Sequence, residues 1–261
     1  MSLADVFSNY TYIFILIMLR YFGLFIITPI LSSGVLVSRL KIAFSFFLAF
    51  LTLPIIAEDQ FIAMPDNLLL ILADVLKELS IGFIMGFIVL LIFTAIQLAG
   101  QYIDMRMAFR LANAVDPLSN VSTPVVGQFQ NIMAILLFLA MNGHHILINN
   151  IYLSFEMIPI GETVYINRLF QFIFRASGDM FLLSFQIALA IIGTIFLVDV
   201  ILGFLARAVP QMNLFIIGLP VKILVGFLFL ILSLDVMVNF YGDVFNNLFS
   251  DLEKLLRILA G

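Results

Sequence analysis

Apolar residues run along this chain in six blocks, near 10–37, 40–57, 79–100, 127–153, 180–205 and 213–239, parted by polar stretches. Each block is near the roughly 20 residues that a helix needs to cross hydrocarbon. The pattern predicts an all-α, multi-helix integral membrane protein with about six long apolar helices. From Gly242 onward the period changes. Val244, Phe245, Leu248, Phe249, Leu252, Leu255, Leu256 and Leu259 share one helical face, while Glu253 and Arg257 form an i,i+4 pair. Residues 242–261 therefore read as a C-terminal amphipathic helix, with two uses open to it: lying at the membrane surface or docking on a partner subunit.

Two helices look too long for a bilayer. Between Arg168 and Ala206 there is no proline, and Arg168, Gln171, Arg175, Asp179 and Gln186 form one polar stripe. Unbroken, that helix is about 58 Å long against about 30 Å of hydrocarbon. Gly178 marks the place where a break could fall. Asp66 to Gly100 poses the same problem, with Asp74, Lys77 and Glu78 gathered before its apolar core. Helices of this kind suit a tall assembly that is only partly surrounded by lipid.

Lysine and arginine set an expected orientation. Arg39 and Lys41 lie in the first connection, Arg106 and Arg110 in the third and Arg207 in the fifth, whereas Glu58, Asp59 and Asp66 lie in the second and Glu156 and Glu162 in the fourth. The positive-inside rule then places the odd connections in the cytoplasm and both termini on the extracytoplasmic side. Tyr10, Tyr12, Tyr102, Tyr152 and Tyr241 mark the ends of the blocks, at headgroup level.

Composition narrows the function. The chain is 64% hydrophobic and 11% charged, with mean hydropathy +1.21, which is a membrane composition. A net charge of −4 with no basic cluster argues against nucleic acid as a partner. There is no cysteine, so disulfides and thiol chemistry are excluded. The N-terminus lacks the positive segment of a signal peptide, so the first block is expected to be retained. No phosphate-binding loop, catalytic triad or metal cluster is present, so no enzyme activity and no cofactor is expected. His144 and His145 are the two histidines, and neighbours on a helix diverge by about 100°, too far to chelate one metal readily. Packing or a helix-end contact suits them better.

Several residues stand out structurally. Gly82 and Gly86 fit the small-xxx-small pattern for close helix approach. Arg20, Asp199, Lys222 and Asp235 lie inside apolar blocks, where an unpaired charge costs on the order of 2.5–3.5 kcal/mol. Arg207, Pro210, Gln211 and Asn213 form a polar hairpin turn between the last two blocks. With that turn centred near Pro210, Asp199 and Lys222 each lie about 16–18 Å from it on antiparallel neighbours, so they should pair. Pro220 lies inside the last block, where it too is costly. The third connection, about 25 residues from Tyr102, is longer than ordinary helix connections and so points to function or disorder. Its Met105, Met107, Phe109, Leu111 and Leu118 supply adaptable apolar bulk.

Four stretches carry a family resemblance. They are Gln97-Leu-Ala-Gly100 with Asp104, Met107 and Asp116-Pro117; Asn142-Gly-His-His145; Ser154-Phe155 with Pro159; and Ala206 through Lys222. In order and spacing they resemble the R-type component (FliR family) of the flagellar type III protein export gate. Gln101 stands where that family commonly has an acidic residue, and Ala108 where it commonly has glycine. The resemblance implies a single export-gate subunit. Residues about 1–155 would be similar to the P-type subunit, about 160–241 to the Q-type hairpin, and 242–261 would form the tail. It implies P-type and Q-type partners, the B-type switch subunit, membrane lipid, and unfolded flagellar export substrates in transit across the bacterial inner membrane. It also implies that the loop near 104–126, with Met105, Arg106, Met107, Phe109, Arg110, Asp116 and Pro117, plugs the channel. Two other readings stay open: a small-molecule or ion transporter using the intramembrane charges, and the equivalent subunit of a virulence-type secretion system.

Overall fold

The computed structural model describes residues 3–29, 38–59, 64–108, 124–162, 165, 168–210 and 214–261. Among these the regular structure is helical: α1 Leu3–Ile27, α2 Ser38–Asp59, α3 Leu68–Arg106, α4 Val125–Ala140, α5 Gly143–Met157, α6 Leu169–Ala208 and α7 Leu214–Ala260. Five are long and apolar enough to cross a membrane, or six with the bent pair α4–α5 taken as one span. The backbone of each apolar run has no water to bond to in hydrocarbon, and a helix satisfies it internally.

Three boundaries differ from the sequence reading. The block at 127–153 is two helices bent by 66°, because Asn142 takes a left-handed backbone at φ 57°. Asparagine tolerates that conformation, and Gly143 beside it opens the next helix. At Gly178 there is no break: α6 runs 40 residues through it. One glycine costs a helix only about 1 kcal/mol, too little to end it. The tail, finally, is no separate helix, since α7 continues 47 residues through Pro220 and Gly242 to Ala260.

That continuation settles the amphipathic face. Leu252, Leu255, Leu256 and Leu259 are wholly buried within this chain, and the Leu259 carbonyl accepts the Tyr165 N–H at 3.1 Å. The leucine face is thus covered intramolecularly and is open neither to the membrane surface nor to a partner.

The chain divides into two compact units. The first comprises residues 1–91, 142–176 and 246–261. Its core forms around α1, whose Ile13, Leu16, Ile17, Tyr21 and Leu24 are fully buried. Ring pairs Phe14–Phe46 and Phe25–Phe44, at 5.1 and 5.5 Å, lock α1 to α2. Gly82 and Gly86 of α3 press on the backbone of α1: a Cβ on Gly82 would strike the Arg20 carbonyl, and one on Gly86 would come 2.8 Å from that of Leu24. Gly23 returns the contact, its would-be Cβ 2.5 Å from the Leu79 carbonyl. The neighbour that this small-residue pattern fits is therefore internal.

The second unit comprises residues 92–141 and 177–245. Phe93, Phe138 and Phe245 meet at its centre, with ring centroids 5.2–5.7 Å apart, joining α3, α4 and α7.

Candidate functional site

Two charged constellations and one loop base hold the residues of interest. In the first unit, Arg20 lies in the C-terminal half of α1 with none of its side chain exposed. Its Nε donates to Glu78 Oε2 at 2.5 Å, Nη1 to Ser154 Oγ at 3.0 Å and Nη2 to the Ile158 carbonyl at 3.1 Å. The guanidinium carbon stands 4.0 Å from the centre of the Phe155 ring. Buried charges persist when paired and hydrogen-bonded, and the cage bonds all three guanidinium nitrogens, while Glu78 Oε1 has no hydrogen-bond partner. Ser154, Phe155 and the Ile158 carbonyl just before Pro159 thus line the Arg20 site. A second layer lies beside it: Tyr12 Oη donates to Asp74 at 2.7 Å, and Lys77 bonds Asp74 and the Gly161 carbonyl, each at 3.2 Å. Glu78 was not foreseen as the partner of Arg20. The available signal was that both are charges at the edge of, or inside, apolar blocks.

In the second unit the hairpin brings Asp199 and Lys222 together. Lys222 Nζ forms an ion pair with Asp199 Oδ1, with 22% and 35% of the respective side chains accessible. The two residues lie eight before Arg207 and eight after Leu214, so they are level on antiparallel helices. At the turn end, Arg207 and Pro210 are exposed, while Gln211 and Asn213 lie outside the described residues.

The loop base is the third feature. Helix α3 extends through Tyr102 to Arg106, so the third connection begins at Met107, later than its polarity indicated. Met105 and Arg106 are exposed on the last turn and Met107 is buried. Phe109, Arg110, Asp116 and Pro117 lie outside the described residues. Where the chain re-enters at α4, Pro124 cannot offer a side-chain cap. Asp104 acts in its place: its carboxylate accepts Val126 N–H at 3.1 Å and Gly127 N–H at 3.2 Å. An anion at a helix N-terminus satisfies orphan donors and complements the helix dipole. Gly100 makes the approach feasible, because a Cβ there would come 2.6 Å from Gly127 N. Met107 packs on α7, 2.6 Å from where a Cβ on Gly226 would sit. Gly100 and Asp104, two of the motif positions, therefore join the two ends of the connection, and Met107, a third, ties its start to α7. Ala108, which follows, has φ 62°. Glycine takes that left-handed value freely and alanine does not, which explains why glycine suits the position.

His144 and His145 have ring centres 4.1 Å apart just after the kink. Among the described residues no group of three or more histidine, cysteine, aspartate or glutamate side chains could hold a metal.

Comparison with known proteins adds identity to this geometry. Residues 11–248 match the family model described as bacterial export proteins, family 1. The chain is 32% identical to the flagellar biosynthetic protein FliR of Bacillus subtilis (strain 168), over 99% of this chain and 98% of that one. It is 28% identical to FliR of Escherichia coli (strain K12), over 93% and 92% of the two chains. Against FliR of Pectobacterium carotovorum subsp. carotovorum it is 30% identical, over 92% and 91%. With the family model covering most of its length and relatives matched end to end, this chain belongs to the FliR family of bacterial export proteins.

Proposed function

We propose that this protein is a channel-forming component of the flagellar type III export gate in the bacterial inner membrane. It assembles with P-type and Q-type subunits, contacts the B-type switch subunit, and passes unfolded flagellar proteins outward. Residues about 1–155 act as the P-like part and about 160–241 as the Q-like hairpin, with both termini extracytoplasmic. The connection near 104–126 plugs the channel. The single observation that carries this reading is the end-to-end match to a relative named as a flagellar biosynthetic protein. Two structural features support it. Long apolar helices leave large side chains such as Phe174, Leu224 and Val236 exposed on the isolated chain, as expected of a subunit covered by lipid and neighbours. The loop ends are tied at Asp104, so a segment can project from a fixed base.

A transporter reading needs interior charges free to hold an ion. Arg20, Asp199 and Lys222 are instead paired within the chain, which favours the gate. The deciding experiment is purification in mild detergent followed by identification of what co-purifies. Stable P- and Q-type partners are the expected result; a homogeneous protein free of both would overturn the reading.

A further inference from the structure

The hairpin carries a mark of where lipid ends. On α6 every exposed residue from Leu189 to Leu205 is Leu, Ala, Gly, Phe, Val or Ile; on α7 every exposed residue from Ile217 to Leu232 is apolar as well. Charged Asp199 and Lys222 fall inside this stretch but are turned into an ion pair with each other. Thr194 and Ser233 spend their hydroxyls on the carbonyls of Ala190 and Leu230. No exposed polar side chain interrupts the band.

At both limits polar residues enter the exposed faces. At the turn end, exposed Arg207 bounds α6, and α7 starts at Leu214. At the far end the outward faces take up polar residues: Gln186 and Asp179 on α6, among exposed Phe181, Leu182 and Phe185, and Asp235, Asn239 and Asp243 on α7, among exposed Val236 and Val238. Asp235, Asn239 and Asp243 recur at four-residue steps on the side opposite buried Leu230, Met237, Tyr241 and Val244.

The two far limits coincide in height. The Asp199–Lys222 pair fixes the register of the antiparallel helices. Gln186 lies 13 residues from Asp199, and Asp235 lies 13 residues from Lys222. At 1.5 Å per residue both stand about 20 Å beyond the pair. From Gln186 to Arg207 and from Leu214 to Asp235 the separation is 21 residues in each case. That is about 31 Å, against about 30 Å for the hydrocarbon core of a bilayer.

We infer that the outward face of the hairpin between these limits lies in lipid acyl chains, with Gln186 and Asp235 marking one hydrocarbon–water plane. Beyond that plane α6 and α7 leave the hydrocarbon, which is why they can exceed the bilayer. With Arg207 on the cytoplasmic side, as the lysine and arginine distribution requires, the plane is the extracytoplasmic one. The ion pair then lies about 12 Å from the cytoplasmic limit and about 20 Å from the other, inside the hydrocarbon on its cytoplasmic half. Lipid is favoured over a protein partner as occupant because both helices change character at one height and the band has bilayer thickness. A subunit contact has no reason to obey either.

The native chain has no cysteine and no tryptophan, so single reporters can be placed in the intact complex. The probe for water is a charged, membrane-impermeant maleimide applied to right-side-out membrane vesicles. Gln186→Cys and Asn239→Cys should label about tenfold or more faster than Leu197→Cys and Leu224→Cys, because thiolate formation needs water. The probe for lipid is a single Leu224→Trp in bilayers of brominated-chain phospholipid, where its fluorescence should be strongly quenched relative to unbrominated lipid. Labelling at Leu224→Cys as fast as at Asn239→Cys would overturn the inference by showing water at the band. An unquenched Leu224→Trp would overturn it by showing a protein cover. Silent cysteines at both 186 and 239 would overturn the placement of the plane. None of these outcomes depends on the plug or on the identity of the partners.

Discussion

Arg20 Nε and Glu78 Oε2 meet at 2.5 Å between α1 and α3, with neither side chain exposed. Residues 58 positions apart are thereby fixed against each other where backbone already touches backbone at Gly82 and Gly23. Removing one partner leaves the other charge buried without compensation, at about 3–5 kcal/mol. Glu78→Gln and Arg20→Ala should each lower the thermal midpoint in detergent and reduce assembled protein. Arg20→Met with Glu78→Leu should recover much of the loss, since neither charge is then stranded. A Glu78→Gln protein with an unchanged midpoint would show that the pair is not holding the helices.

The hairpin pair predicts a similar rescue with a smaller amplitude. Asp199 and Lys222 are partly accessible on the isolated chain, and lipid or a neighbour decides how dry they are. Lys222→Ala strands a carboxylate in the span, at about 2.5–3.5 kcal/mol if it is fully in hydrocarbon. Export or assembly should fall in the single variant and recover in part when Asp199→Ala is added. A double variant no better than the single one would mean that Lys222 serves something other than Asp199.

Ala108 stores a correctable cost. Its φ of 62° disfavours a Cβ by about 1–2 kcal/mol, partly offset by the greater freedom that glycine has when unfolded. Ala108→Gly should therefore raise stability by up to about 1 kcal/mol, and Ala108→Val should lower it. Thermal midpoints of the two purified variants decide this, and a destabilised glycine variant would contradict it.

Which parts of this architecture the sequence revealed follows from what periodicity can carry. The apolar blocks show helices because hydrocarbon demands about 20 apolar residues in succession. The level placement of Asp199 and Lys222 was legible for the same reason: a short polar turn and a fixed rise per residue determine height. The kink at Asn142 was not legible, since a left-handed residue between two apolar runs leaves hydropathy unchanged. The fate of the α7 leucine face was hidden too, because an apolar stripe states that it will be covered and not by what. Glu78 and Asp104 were missed as a partner and a cap because their contacts, to Arg20 and to Val126, span 58 and 22 residues. Local spacing says nothing about contacts of that range.

Asp104 makes a further test at the loop base. Its carboxylate satisfies the first turn of α4 in a buried site, and hydrogen bonds to a charged acceptor contribute about 1.5–3 kcal/mol each at most. Asp104→Ala should lower the thermal midpoint clearly, whereas Asp104→Asn, which keeps one acceptor oxygen, should lower it less. Equal losses would mean that the charge and second oxygen carry the effect, and an unchanged midpoint in Asp104→Ala would contradict the cap.

The most direct test of a plugged export channel is the ion permeability of cells in which residues 109–123 are replaced by a short linker, scored per assembled complex. The base of that segment, with Asp104 and Gly127, is left intact, so partner co-purification should be preserved. The account predicts a complex formed at normal levels and a membrane that leaks ions or small solutes. A normally assembled complex whose membrane is as tight as that of the parent would contradict it.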